Sequence, residues 1–296
     1  MKIGSVAWGW TPTPEDMPVG DSLERIADSV KELGFEIIDY LSDYDSLDKF
    51  FTVNGGEAAT RIGKYCKSIG LTIGGLVFQS NLWNQQEEAA KRKQLDYFKK
   101  CAETAEKLNA SAISCIIPGP CGSKPNRMGS PSEKMASNLP ASYSWQKDWD
   151  NYASQMAAAC DVAAGHGLLI ALECFPGSLC ATPHAMLQIL KDVNRKNFGI
   201  QLDTAHLMNQ RIDIETSIFM LGGKNIFNVH AKDSDGLTRG NLPCGAGRVD
   251  YTAVLKALKN VGYNGNISIE VEFTDNPRRY NKQALEHLRQ CIDGNY

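Results

Sequence analysis

The chain contains no Cys-x-x-Cys pair, no block of clustered Lys and Arg, and no apolar run approaching the roughly 18 residues that a membrane helix needs. Its nine cysteines form an odd set, and the opening Met1-Lys2-Ile3-Gly4-Ser5 is not an apolar leader. Free thiols in a reducing cytoplasm are expected, rather than a disulfide framework. Histidine is scarce at five residues, and a net charge of −3 leaves no surplus of cations to neutralise a phosphate backbone. Nucleic acid and membrane are therefore not expected as partners. The one glycine-rich segment, Cys244-Gly-Ala-Gly-Arg248, neither follows a strand directly nor opens a helix, so no nucleotide cofactor is expected.

What is present is a globular composition, 43% hydrophobic and 22% charged over 296 residues, long enough for one large α/β domain. Short β-branched runs alternate with longer stretches of helical period. The strand candidates are residues 2–8, 36–40, 72–78, 112–117, 168–174, 198–203, 226–230 and 266–272. Helical stretches lie near 22–33, 55–69, 85–108, 144–165, 182–194, 213–221, 250–261 and 281–293. Asp21 with Glu24 reads as a capping box, and Thr182-Pro183 as a cap before a first-turn proline. Gly70, Gly165 and Gly262 sit where helices should stop. Eight strands and eight helices in alternation predict a single (β/α)8 TIM barrel over 1–296, with an open doubly wound sheet as the other topology. The connection 118–143 carries repeated Gly and Pro and little apolar period, and is expected as a long loop over the barrel mouth.

Functional side chains of a parallel barrel stand at the C-terminal ends of its strands. Four successive candidates close on one such group each: Glu173, Asp203, His230 and Glu270, about one βα unit apart. Three carboxylates brought together would repel, and a shared dication resolves the conflict. One imidazole with three carboxylates is a hard-leaning set that favours Mn²⁺ or Mg²⁺, with Co²⁺ and Zn²⁺ also compatible. Cys174 follows Glu173 directly and alternation aims it away from the ion. Glu272 shares the strand face of Glu270, so alternation alone allows either as the fourth ligand; Glu270 matches the depth of the others.

At these residues the sequence resembles the xylose-isomerase-like sugar phosphate isomerase/epimerase superfamily, which includes ketose 3-epimerases, hydroxypyruvate isomerase and inosose dehydratase. The matching motifs are Ala171-Leu-Glu173, Leu202-Asp-Thr-Ala-His206, Val229-His-Ala-Lys-Asp233, the stretch Leu242 to Tyr251, and Gly262 to Glu270. The resemblance implies one divalent metal held by Glu173, Asp203, His230 and Glu270, the two glutamates doubling as acid and base. It also implies that the ion binds a sugar carbonyl and the adjacent hydroxyl and stabilises the enediolate formed on proton loss. His206 falls where the family's histidine contacts substrate oxygens, and Asp233 where a carboxylate orients the site from behind. Lys232 reads equally as a surface charge.

Departures from the ketose 3-epimerases blur the substrate. Their further substrate-binding glutamate is missing from the stretch Cys174 to Leu179, and their substrate-binding arginine corresponds to Arg239 or Arg248. Glu272 replaces an aromatic residue and makes the pocket more acidic, which disfavours a sugar phosphate. Trp8, Trp10, Phe78, Trp83 and Trp145 lie at strand ends or in the long loop, where a ring could stack on sugar or simply pack. The expected activity is isomerisation or epimerisation of a free ketose or keto-sugar. The alternative is a lyase or dehydratase acting by β-elimination on a keto-inositol or 3-keto-glycoside, with a small accessory subunit. Family barrels are commonly homo-oligomers, dimers or tetramers.

Overall fold

The eight β-branched runs form eight short strands in a computed structural model that describes residues 1–10, 22–42, 47–78, 83, 86–116, 119, 139, 141–173, 175–237, 242–271 and 274–294. They are β1 (Lys2–Val6), β2 (Ile37–Ser42), β3 (Thr72–Phe78), β4 (Ala112–Ile116), β5 (Leu169–Glu173), β6 (Phe198–Asp203), β7 (Ile226–Ala231) and β8 (Asn266–Ile269). Each pairs in parallel with its sequence neighbours, and β1 closes on β8 with Lys2 opposite Asn266 and Ser5 opposite Ile269. The single closed barrel agrees with the fold expected from the sequence and excludes the open sheet. A parallel strand covered on both faces has no wet side, which is why β6 is buried at every residue.

Among the described residues the helices are α1 (Ser22–Glu32), α2 (Glu57–Ser68), α3 (Glu88–Leu108), α4 (Trp145–Gly165), α5 (Pro183–Val193), α6 (Thr204–Asn209), α7 (Ile214–Leu221), α8 (Tyr251–Asn260) and α9 (Pro277–Asp293). Local chemistry sets their ends. Thr182 caps α5 through its side chain, which accepts from Ala185 N–H ahead of Pro183, and Asp250 caps α8 by accepting from Ala253 N–H. Gly262, at φ 78°, turns the chain after α8.

Three local expectations change. Gly165 is the last residue of α4, and the left-handed turn falls instead on Gly167, at φ 69°. α9 begins at Pro277, earlier than the apolar period suggested, because Asn276 accepts from Arg279 N–H and supplies a cap. α6 was not expected: the Asp203 side chain accepts from His206 N–H and starts a short helix directly off β6. Most of the 118–143 connection lies outside the described residues, as does Asp21 of the expected capping box.

Candidate active site

Strand register brings the four strand-end candidates to one depth. His230 lies opposite Asp203 on one side and Ser268 on the other, and Glu270 N–H donates to Ala231 C=O at 3.0 Å just past the end of β8. Glu173, Asp203, His230 and Glu270 each present one ligand-capable atom, all lying within 4.8 Å of one another. The four are 5%, 2%, 0% and 5% exposed, so their charges sit in a largely dry end of the barrel where they act strongly on one another.

Two basic groups lie against these carboxylates. His230 Nδ1 lies 2.8 Å from Glu270 Oε2 and 3.7 Å from Glu173 Oε1. Lys232 Nζ reaches Glu270 Oε1 at 3.0 Å and Asp203 Oδ2 at 3.5 Å. Burial by itself pushes the Glu173 carboxyl up, but hydrogen bonds and charge from His206 and His230 overcome it and hold the group well below the usual range. Burial is likewise outweighed at Glu270, which the Lys232 ammonium and His230 hold low. His230 shows the mirror image: burial disfavours the imidazolium, and the carboxylates of Glu270 and Glu173 raise it well above the ordinary histidine value.

His206 lies where a substrate-contacting residue was expected. It is 8% exposed, not solvent-facing, with Nε2 3.4 Å from Glu173 Oε1 and 3.6 Å from Asp203 Oδ2. The Trp8 ring stands 6.0 Å from the His230 ring, inclined by 57°, at the edge of the same cluster. Asp233 is fully buried and accepts from the N–H groups of Ser234, Gly245, Gly247 and Val249, which fastens the 242–249 stretch beneath the mouth. Arg248 is exposed and lines a surface cavity of about 670 Å³ with Arg211, Asp213, Asp235 and Leu237, which none of the four clustered residues lines. Arg239, Glu272 and Cys174 lie outside the described residues. Phe78 and Trp83 pack on Phe98, and the half-exposed Trp145 stacks on Trp149 at 5.0 Å.

Two site residues escaped the sequence reading. Lys232 is 2% exposed and bridges two of the carboxylates rather than lying on the surface. Its only signal was its place between His230 and Asp233. Gln201, fully buried, donates from Nε2 to Glu173 Oε2 at 3.0 Å. Its signal was a polar residue two positions before Asp203, on the same strand face.

The donor set fits a divalent cation. Asp203 Oδ2, His230 Nε2 and Glu270 Oε2 are buried without a partner at hydrogen-bonding geometry, although the last two residues sit in close ion-pair contact. A metal-bound imidazole is neutral, so with His230 as a ligand three carboxylates stand against one lysine, a net negative charge that a dication would offset. Oxygen donors with one imidazole suit hard and borderline ions.

Comparisons with known proteins place the chain among sugar isomerase-like barrels by similarity. Over 119 residues the chain is 34% identical to an inosose isomerase of Bacillus subtilis, covering 38% of this chain and 42% of that one. The first curated relatives are thus matched over less than half their length. An L-ribulose 3-epimerase of Mesorhizobium japonicum is 25% identical over 279 residues, covering 91% of this chain and 80% of the relative. A crystal structure of the IolI protein with a bound zinc atom superposes with a TM-score of 0.70 at 20% identity, covering 99% and 97% of the two chains, which speaks for the fold. Residues 27–291 match the family described as xylose isomerase-like TIM barrel, and the chain belongs to that family.

Proposed function

We propose that the protein is a divalent-metal-dependent sugar isomerase or epimerase that moves a proton next to the carbonyl of a ketose or keto-sugar. The observation that carries this reading is the convergence of two buried carboxylates, Glu173 and Glu270, both held ionised, on one point shared with Asp203 and His230. The activities for which the relatives are named, inosose isomerase and L-ribulose 3-epimerase, support it.

In this reading Glu173, Asp203, His230 and Glu270 hold the ion. When bound, it supplies Lewis-acid stabilisation of the negative charge that develops on oxygen as a proton leaves the neighbouring carbon. One glutamate, held ionised, takes that proton as base and for isomerisation returns it to the adjacent carbon; for epimerisation the other glutamate first takes up a proton from solvent and delivers it to the opposite face, and the first then loses its own to solvent. His206, between Glu173 and Asp203, donates to a substrate oxygen. Lys232 keeps Asp203 and Glu270 apart from each other's charge, and Trp8 excludes water from the cluster. Mn²⁺ is the ion this oxygen-rich set favours, and no nucleotide takes part. Among the described residues no helix is long and apolar enough to cross a membrane. Seven buried free thiols among the described residues support a cytoplasmic enzyme, and the family resemblance supports a homo-oligomer.

The test is to add Mn²⁺ to metal-stripped protein in heavy water and follow L-ribulose, D-tagatose and an inosose by proton NMR. Deuterium beside the carbonyl, with skeleton and substituents retained, is the expected result. Loss of water or of an aglycone would replace the reading with a lyase, and absence of exchange across the panel would remove it.

A further inference from the structure

Beneath the carboxylate cluster, the barrel interior carries a second polar layer. The residues two positions before Asp203, His230 and Glu270 are Gln201, Asn228 and Ser268, and alternation points them into the barrel one step deeper. All three are buried, and Ser114 of β4 joins them. We propose that Gln201 is the positioning residue of this enzyme: it fixes which oxygen of Glu173 faces the reacting atoms. The proposal rests on the isomerase reading of the site.

An amide has an acceptor end and a donor end, and its orientation is set by whichever end is saturated first. Gln201 Oε1 accepts from Ser114 Oγ and, at 3.1 Å, from Asn228 Nδ2. A flipped amide would turn its oxygen onto the Glu173 carboxylate and its NH2 onto Asn228 Nδ2, and only the Ser114 hydroxyl, which accepts as well as donates, would keep a bond. Nε2 therefore faces the cluster, 3.0 Å from Glu173 Oε2 and 3.3 Å from His230 Nδ1. Glu173 Oε2 is thereby committed downward to a neutral donor. Oε1 is left on the mouth side, where it meets His206 Nε2 at 3.4 Å.

The choice of a neutral donor matters. A lysine or arginine at this point would orient Glu173 equally well but would offset the charge that makes it a ligand and a base. Gln201 orients without neutralising. The chain Ser114–Gln201–Glu173 also crosses three consecutive strands, so the carboxylate is referenced to the barrel wall rather than to a loop, the arrangement that best preserves sub-ångström placement.

The experiment compares wild type with Gln201→Met, of similar length but with neither donor nor acceptor, with Ser114→Ala, which removes one of the two anchors at little cost in volume, and with Glu173→Gln. The readouts are kcat and KM from exchange on the panel member that reacts fastest, and Mn²⁺ affinity of the metal-free proteins by calorimetry. Gln201→Met is expected to lower kcat by about 10- to 100-fold and to weaken Mn²⁺ binding by about tenfold, the range for residues that orient metal ligands, with KM within about threefold of wild type. Ser114→Ala is expected to lower kcat by about threefold or more, with KM likewise held. A wild-type kcat and Mn²⁺ affinity in Gln201→Met, beside an inactive Glu173→Gln, overturns the proposal. Should Gln201→Met fail to fold, an unchanged kcat in Ser114→Ala overturns it instead. Activity retained by Glu173→Gln marks failure of the isomerase reading itself, which is a different result.

Discussion

The two halves of the barrel mouth are built from opposite chemistry. The β5 to β8 side ends in Glu173, Asp203, His230 and Glu270, with Lys232 just beyond. On the β1 to β4 side, Val6, Trp8 and Val77 form a small apolar cluster of their own, packed by Leu41 and Ile116 and separate from the main core. One half supplies the charges. The other supplies a dry wall that raises the strength of every interaction those charges make. Trp8 is where they meet, its ring 6.0 Å from that of His230. The division suits a ligand whose oxygens are gripped on one side while its carbon skeleton lies against the other.

The charged half is the easier one to break. Glu173→Gln or Glu270→Gln is expected to lower turnover by about 10² to 10⁴-fold, the range for losing a positioned acid or base, while circular dichroism shows the fold retained. Near-wild-type exchange in either variant would show that the convergence of carboxylates serves something other than proton transfer.

Ion removal probes the same half more gently. With His230 neutral as a ligand, three carboxylates against one lysine favour a bound dication, so Mn²⁺ at a hundredfold excess over its Kd should stabilise the stripped protein by about 2.7 kcal/mol. Calorimetric midpoints with and without the ion measure this. An equal rise in Asp203→Asn would place the ion elsewhere, because Asp203 is only 2% exposed and its Oδ2 has no hydrogen-bond partner to occupy it.

How legible these halves were differs for a physical reason. The charged half was read from the sequence because a polar residue closing an apolar strand is conspicuous, and the eight-strand alternation said which end of each strand mattered. Lys232 and Gln201 were not read as site residues. A lysine one residue past a strand looks the same whether it is solvated or, as here, 2% exposed between two carboxylates. A glutamine inside β6 acquires its meaning from Ser114 and Asn228, which come from other strands. Asp233 was expected behind the metal ligands; that it also gathers four backbone N–H groups depends on how the 242–249 stretch folds back. The apolar half was harder still, because Val6, Leu41, Val77 and Ile116 look like any core residues until the barrel closes.

The apolar wall is tested at its contact point. Trp8→Phe keeps an aromatic face of smaller area and is expected to raise KM by about three- to tenfold, the equivalent of about 0.7 to 1.4 kcal/mol, with kcat changed less. A kcat loss larger than the KM change would make Trp8 part of the charged half's machinery, acting through His230.

The smallest expected effect concerns a buried acid on the apolar side. Asp39 on β2 is 1% exposed, points into the barrel against Gly74, and neither oxygen has a partner at hydrogen-bonding geometry. Burial raises its carboxyl above the ordinary aspartate value, while His230, Ser268, Asn228 and the Gly75 backbone pull weakly the other way; Tyr263 is the other titratable group that feels it. A carboxyl raised on folding contributes stability that is fully present below its unfolded pKa and is lost as pH climbs through the folded value. At neutral pH the buried Asp39 carboxyl is therefore a cost to the metal-free protein. Asp39→Asn should remove that cost, raising the melting midpoint at pH 7 by roughly 2 to 4 °C per kcal/mol gained, with a gain of about 1 kcal/mol. The gain should shrink as pH falls and vanish below about pH 3, under the unfolded aspartate's pKa of about 3.9, where wild-type Asp39 is neutral in both states. A gain that persists unchanged at low pH would assign the effect to packing, and a loss at neutral pH would mean that the charged half, through His230, uses the negative charge of Asp39 across the barrel.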